Sequence, residues 1–170
     1  MPEELEKKLK ARAKKKGFGK ERTGILAYCA GIIDGEGCIG IYVRNPRNGR
    51  SMRHELKTQV NMQTIPAIEM LKEYFGGLQN YRVKNKKTGA FCYQWRIGDR
   101  KAYDCLKILL PYLRVKKAEA KKAIEFYERC ILPPKLGCGA ARKLSQAELD
   151  LRQSYRMSLH ELKRGQYTYA

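Results

Sequence analysis

Asp34 and Glu36 are the residues of this chain best suited to chemistry. The 170 residues carry 36 Lys and Arg against 17 Asp and Glu, a net charge of +19, yet no Lys or Arg lies between Gly24 and Val43. Two carboxylates separated by one glycine, with no basic neighbour in sequence, can bind a hard divalent cation. Mg²⁺ is held by one or two carboxylates, with water and phosphate oxygens completing its shell. The apolar run Gly24 to Ile33, preceded by Thr23 as a candidate cap, places the pair at a helix C-terminus. There the macrodipole opposes each carboxylate by about 0.3 to 1 kcal/mol, so a positive charge is expected beside them. Gly35 and Gly37 are expected to end the helix in the left-handed conformation. Gly35 to Gly40 also fits a G-x-G-x-x-G pattern, but a dinucleotide site needs a strand before it and a helix after it, the reverse of the order here.

The helix itself carries a second signal. Ala27, Ala30 and Gly31 form a small-residue face that lets another helix approach closely. If that helix is the same segment of a second copy, a two-fold axis brings both acidic pairs together. Two metal-loaded clusters side by side suit hydrolysis of one phosphodiester in each strand of a duplex.

The elements that must hold this helix follow from periodicity. From Cys38 the pattern alternates, with Ile39, Ile41 and Val43 on one side and Gly40, Tyr42 and Arg44 on the other. A strand from Arg53 to Gln63 sets Leu56, Thr58, Val60 and Met62 against Arg53, Glu55, Lys57, Gln59, Asn61 and Gln63. Pro66 opens a helix with the stripe Ile68, Leu71 and Phe75, stopped by Gly76 and Gly77. A second hairpin sets Asn80, Arg82, Lys84 and Lys86 opposite Tyr81 and Val83, then turns at 87–89. Its return strand alternates Phe91, Tyr93, Trp95 and Ile97 with Cys92, Gln94 and Arg96. Asp99 is a candidate cap for a third helix ending at Pro111, and residues 116–131 read as a fourth. Ser145 and Glu148 form a capping box that opens a last helix with the stripe Leu151, Tyr155, Leu159 and Leu162. The organisation expected is a basic arm over 1–22, a core over 23–131, and a loop with an appended helix over 132–170.

A pI near 9.8 points to an extended anionic partner, nucleic acid before an anionic membrane surface. The longest apolar run, Ile25 to Ile33, is far below the ~20 residues a spanning helix needs, and no apolar stretch opens the chain. A soluble protein working inside a cell is expected, in a prokaryotic cytoplasm or an organelle matrix, with no membrane contact. The cysteines at 29, 38, 92, 105, 130 and 138 show no zinc-site spacing and read as reduced thiols.

The nine residues Cys29-Ala30-Gly31-Ile32-Ile33-Asp34-Gly35-Glu36-Gly37 resemble the LAGLIDADG motif of homing endonucleases and maturases. Cys stands for the opening Leu, Gly for an Ala and Glu for the second Asp. The element order after the motif is similar to the family's α+β core, αββαββα, with an antiparallel four-stranded DNA-binding sheet, here followed by an additional C-terminal helix.

The resemblance implies a site-specific double-stranded DNA endonuclease, working as a homodimer given the single motif, that makes a double-strand break in a long pseudo-palindromic target and is intron-encoded. It implies Glu36 as metal ligand with the Gly35 carbonyl, and Mg²⁺ as the ion, with Mn²⁺ or Ca²⁺ able to occupy the site. Asp34 takes a more structural role, capping the partner helix at an interface of Ala27, Ala30, Gly31 and Asp34. Gln63 matches a residue that positions solvent, and Lys116 a cation near the scissile phosphate. A further basic residue of the family falls near Pro66 or Ala67, which cannot serve; Arg53, Arg82 or Arg114 is the expected substitute, and the sequence does not distinguish among the three.

The outward sheet face, expected to lie in the major groove, comprises Tyr42, Arg44, Arg53, Glu55, Lys57, Gln59, Asn61, Arg82, Lys84, Gln94 and Arg96. Its Arg and Lys suit guanine, its amides adenine and Glu55 cytosine. Two alternatives stand beside this reading: an RNA-binding intron maturase, and a DNA-binding protein without catalysis.

Overall fold

The computed structural model describes residues 21–44, 52–84, 89, 91–131 and 144–165, with the backbone alone at 21–22 and 80–84. The expectations for the arm before residue 21, the turn at 45–49, Lys86 with the turn positions 87–88, and the loop over 132–143 lie outside the described residues.

Helix α1 spans Glu21–Glu36 and passes directly into β1, Gly37–Arg44. It starts before Thr23, and neither Gly35 nor Gly37 is left-handed; among the described residues the positive-φ glycines are Gly76, Gly77 and Gly89. Gly37 is required for a different reason. A Cβ there would lie 2.5 Å from the carbonyl oxygen of Ile33, so only glycine lets the strand leave so close to the last helical turn.

The remaining elements are β2 (Arg53–Met62), α2 (Ile65–Phe75), β3 (Leu78–Lys84), β4 (Phe91–Gly98), α3 (Asp99–Leu109), α4 (Lys117–Cys130) and α5 (Gln146–Gly165). This is the expected order, and the four strands form one antiparallel sheet in the order β1-β2-β4-β3. The β1–β2 register sets Ile41 across from Leu56 and Ile39 across from Thr58, and the β2–β4 register sets Val60 across from Trp95. The inner face is therefore apolar, and it packs on Ile68, Leu71 and Phe75 of α2 and Leu106 and Leu109 of α3. Trp95 is fully buried, and its indole N–H donates to the Gly76 carbonyl at 2.8 Å, which ties β4 to the stop of α2.

Both ends of α3 and the inward stripe of α5 also differ from expectation. Asp99 does not cap α3: Gly98 holds the cap position and Asp99 is the first helical residue, with φ 47°. Helix α3 ends at Leu109, two residues before Pro111, because the chain turns there to bring Arg114 and Lys116 to Asp34. In α5 the capping box forms, with Ser145 N–H donating to Glu148 Oε2 at 2.9 Å and Glu148 N–H to Ser145 Oγ at 3.2 Å. Its inward stripe is shifted, however. Leu151 is exposed and Arg152 is buried, donating at 2.6 Å to the Cys130 carbonyl at the end of α4. Tyr155 and Leu159 join the main core, so α5 packs on α4 and β1 and is part of the folded body.

Candidate active site and nucleic-acid interface

The last turn of α1 is anchored by the segment that leads into α4. Asp34 accepts backbone N–H donors with both carboxylate oxygens, from Arg114 at 2.7 Å and from Lys116 at 2.8 Å. The cap it provides thus serves its own chain, where a cap on the partner helix was expected. Lys116 is buried, and its ammonium donates to the main-chain carbonyl of Asp34. The positive charge demanded by the helix C-terminus is present in the protomer, delivered from a remote stretch of sequence.

Glu36, by contrast, is exposed and makes no hydrogen bond or ion pair among the described residues. Gly35 beside it is exposed, and a Cβ there would meet nothing within 4 Å. A free carboxylate and an accessible main-chain carbonyl are hard oxygen donors of the kind Mg²⁺ takes. No group of three or more His, Cys, Asp or Glu that could hold a metal occurs among the described residues. Glu36 and the Gly35 carbonyl are two oxygen donors, and an ion held by them alone would take the rest of its shell from other groups or from water.

Gln63 is exposed just past the end of β2. Gly37 pairs with Val60, so Gln63 lies roughly 10 Å further along the strand direction, at the same end of the sheet as Glu36. Arg53 pairs with Arg44 at the opposite end, roughly 20 Å from the motif, and approaches Asp99 at 3.8 Å. It therefore cannot serve as the second active-site cation. Arg114 is exposed beside Asp34; of Arg82 only the backbone is described.

On α1, the exposed residues Gly24, Ala27, Tyr28, Gly31 and Gly35 make one strip, and added Cβ atoms at the three glycines would meet open space. Ala30 does not belong to it. It is fully buried in the protomer's own core, as about 100° of rotation per residue turns it away from Gly31.

The outer sheet row holds Arg44, Arg53, Lys57, Gln59, Asn61, Gln94 and Arg96 at register positions that share one face. Glu55 sits among them but is buried beneath its neighbours, 3.0 Å from Lys57 Nζ and 3.4 Å from Arg44 Nε. Burial raises its pKa, and the Lys57 hydrogen bond with the Lys57, Arg44 and Arg53 charges outweighs that, leaving the carboxyl below its usual 4.5. Glu55 thus orients two cations; it is not open to accept from a cytosine. Gln94 donates to Asn61 across the strands at 2.8 Å. Tyr42 lies over Gly40 with Lys57 Nζ 5.3 Å from its ring, and burial together with Cys38 pushes its phenol up to about 12. In β3 a register shift falls between Asn80 and Val83, so Val83 pairs with Cys92 and Lys84 with Phe91. The alternation expected to put Arg82 and Lys84 in one row with Gln94 is interrupted there.

Three buried or half-buried polar residues have almost no mark in the sequence: two near the motif and one, His54, at the far end of β2. Glu119 is 1% exposed with Oε2 lacking a hydrogen-bond partner, and Lys163 of α5 lies 4.0 Å from that oxygen and 3.3 Å from Cys38 Sγ. His54 is buried on the inner face of β2, against Arg152 and Arg156 of α5. The one available signal was Glu119 three residues after Lys116, a spacing that puts both on one helical side.

A carboxylate left to solvent where a rigid helix meets a cationic sheet equips a protein to work on a polyanion with the aid of a metal ion. A sequence model described as LAGLIDADG endonuclease matches residues 29–132, more than half of the chain, and the chain belongs to that family. No curated protein matches it significantly. Among solved structures, it is similar to the homing endonuclease I-CvuI in complex with its target in the presence of calcium, at 18% identity and TM-score 0.60 over 81% of this chain and 80% of that one. The archaeal intron-encoded homing endonuclease I-Vdi141I complexed with DNA matches at 14% identity and TM-score 0.61, over 81% and 82%. The homing endonuclease I-TnaI matches at 21% identity and TM-score 0.54, over 82% and 93%. These likenesses show the same fold. Among the described residues, no helix is long and apolar enough to cross a membrane.

Proposed function

We propose that two copies of this chain associate through α1 and cleave both strands of a long, pseudo-palindromic DNA duplex with the aid of Mg²⁺. The observation that carries this reading is the exposed strip of α1. It bears no charged residue from Gly24 to Gly31, and it ends at the exposed Glu36, which has no partner among the described residues. A helix with an uncharged outer face as well as a buried inner one calls for cover on both sides. Covering it with the same strip of a second copy sets two Glu36 carboxylates near one axis.

Glu36 and the Gly35 carbonyl would hold the ion, which when bound supplies charge stabilisation at a phosphate and favours ionisation of water. Asp34 and Lys116 keep the helix end in place, and Gln63, at the same end of the sheet, orients solvent. Arg44, Lys57, Gln59, Asn61, Gln94 and Arg96 read the groove while Glu55 aligns two of them. The structures of I-CvuI and I-Vdi141I bound to DNA support this choice of substrate.

The test is selection of cut sites from a randomised plasmid pool in Mg²⁺ and in EDTA, with protomer stoichiometry on the selected site measured by sedimentation. Paired cuts in a site with two-fold character, bound by two protomers, are expected. Absence of cut product at every protein level removes the nuclease reading.

A further inference from the structure

The pattern Glu119, Lys163, Cys38 joins the last helix to the motif, and Lys163 lies outside the family match over 29–132. Glu119 is a buried carboxylate with one oxygen unpartnered, and a buried anion is retained only where cations face it. The charged and titratable groups around it are Lys163 from α5, Lys116 ahead of α4 and Asp34 from α1, with Cys38 of β1 in contact with Lys163. Lys116 donates to the Asp34 carbonyl and acts on Glu119 through its charge alone. Lys163 is the second cation. It stands one turn beyond Leu159 and two beyond Tyr155, on the side by which α5 enters the core, so its stem is fixed by packing.

We propose that Lys163 is a positioning residue for cleavage: paired with Glu119, it holds Lys116 against the Asp34 carbonyl and so fixes the turn that presents Glu36. This rests on the nuclease reading above. The C-terminal helix thereby reaches the site at the edge of the sheet, where Lys163 meets Cys38 in the β1 row that also holds Tyr42 and Arg44. Loss of the pair loosens the helix end while groove contacts persist. A displacement of about 1 Å in a catalytic group lowers rate about a hundredfold, so a partial loosening is expected to cost about tenfold or more.

The full chain is tested as Lys163→Met, Lys163→Arg, Glu119→Gln and the Lys163→Met/Glu119→Gln double variant. Single-turnover cleavage in Mg²⁺, DNA affinity in EDTA, thermal midpoint, and acetylation of Lys116 relative to exposed Lys121 are measured. Lys163→Met is expected to cut about tenfold slower or more at unchanged affinity, with Lys116 newly reactive and a midpoint lowered by the unpaired Glu119 that the double variant regains. Lys163→Arg restores the rate, and the double variant is no slower than Glu119→Gln. Wild-type cleavage by Lys163→Met, or DNA affinity falling together with rate, overturns the proposal, as does additivity in the double variant. If the wild type itself cuts no DNA, the nuclease reading fails separately, and protection of Lys116 still decides whether Lys163 holds it.

Discussion

Lys116 donates its ammonium to the carbonyl of Asp34, and Asp34 returns a carboxylate oxygen to the amide of Lys116, across 82 positions of sequence. This reciprocal pair closes the end of α1 against the start of α4. It also gives the two acids of the motif different roles, with Asp34 consumed in architecture and Glu36 left facing solvent.

The two acids should therefore fail differently. Glu36→Gln is expected to keep the thermal midpoint and DNA affinity while cleavage falls about a hundredfold or more, as removal of a metal ligand does. Asp34→Asn should lower stability by about 1 to 2 kcal/mol, through weakened capping of two amides. Denaturant titration beside a cleavage assay distinguishes them; equal loss of stability in both variants would refute the division.

Two glycines in the same helix-strand unit offer a sharper contrast. Gly37→Ala forces a Cβ into the backbone of Ile33 and should cost about 1 to 3 kcal/mol. Gly31→Arg meets open space in the protomer, so the monomer should fold as stably as before or slightly more so. If α1 is the seam, Gly31→Arg sediments as a monomer and cuts nothing. A Gly31→Arg protein that still forms an active dimer places the seam elsewhere.

Releasing the cations clamped by Glu55 should change what the sheet reads. Glu55→Gln is expected to raise non-specific affinity, because one negative charge leaves a phosphate-facing surface. Discrimination between target and single-base variants should fall by about 1 kcal/mol at positions met by Arg44 and Lys57. Competition binding across a panel of base-pair variants checks this, and a change confined to one cytosine would instead restore direct readout by Glu55.

His54 should make folding sensitive to mild acid. Burial holds its imidazole below the usual 6.5, and Arg152 and Arg156 act in the same direction. The neutral form is thus favoured in the folded state, so its contribution is fully present above pH 6.5. It declines as pH falls from there through the folded value, while the unfolded chain binds the proton first. Unfolding free energy measured from pH 7.5 to 5 should drop for the wild type and stay flatter for His54→Leu. Parallel curves would show that another group governs that range.

Much of this was readable along the chain. The absence of Lys and Arg around Asp34 and Glu36 marked the motif, and alternation gave both hairpins, since one buried face enforces a period of two. Residues set by long-range packing were not readable. Lys163 meets Cys38 over 125 positions, and in sequence it is only a cation near a helix end, where cations are common. Ala30 looked equivalent to Ala27 because small side chains carry no polarity to mark their side of a helix. Gly37 was assigned to a left-handed turn when its role is clearance, a distinction invisible in a glycine's identity.

The junction between Glu36 and Gly37 contains no linker, and that leaves the motif without mechanical slack. One residue inserted there would rotate the acid by about 100° about the helix or invert every side chain of β1. The hinge-free corner therefore tolerates neither addition nor deletion, whereas a substitution in an outward-facing row leaves the position of the acid unchanged.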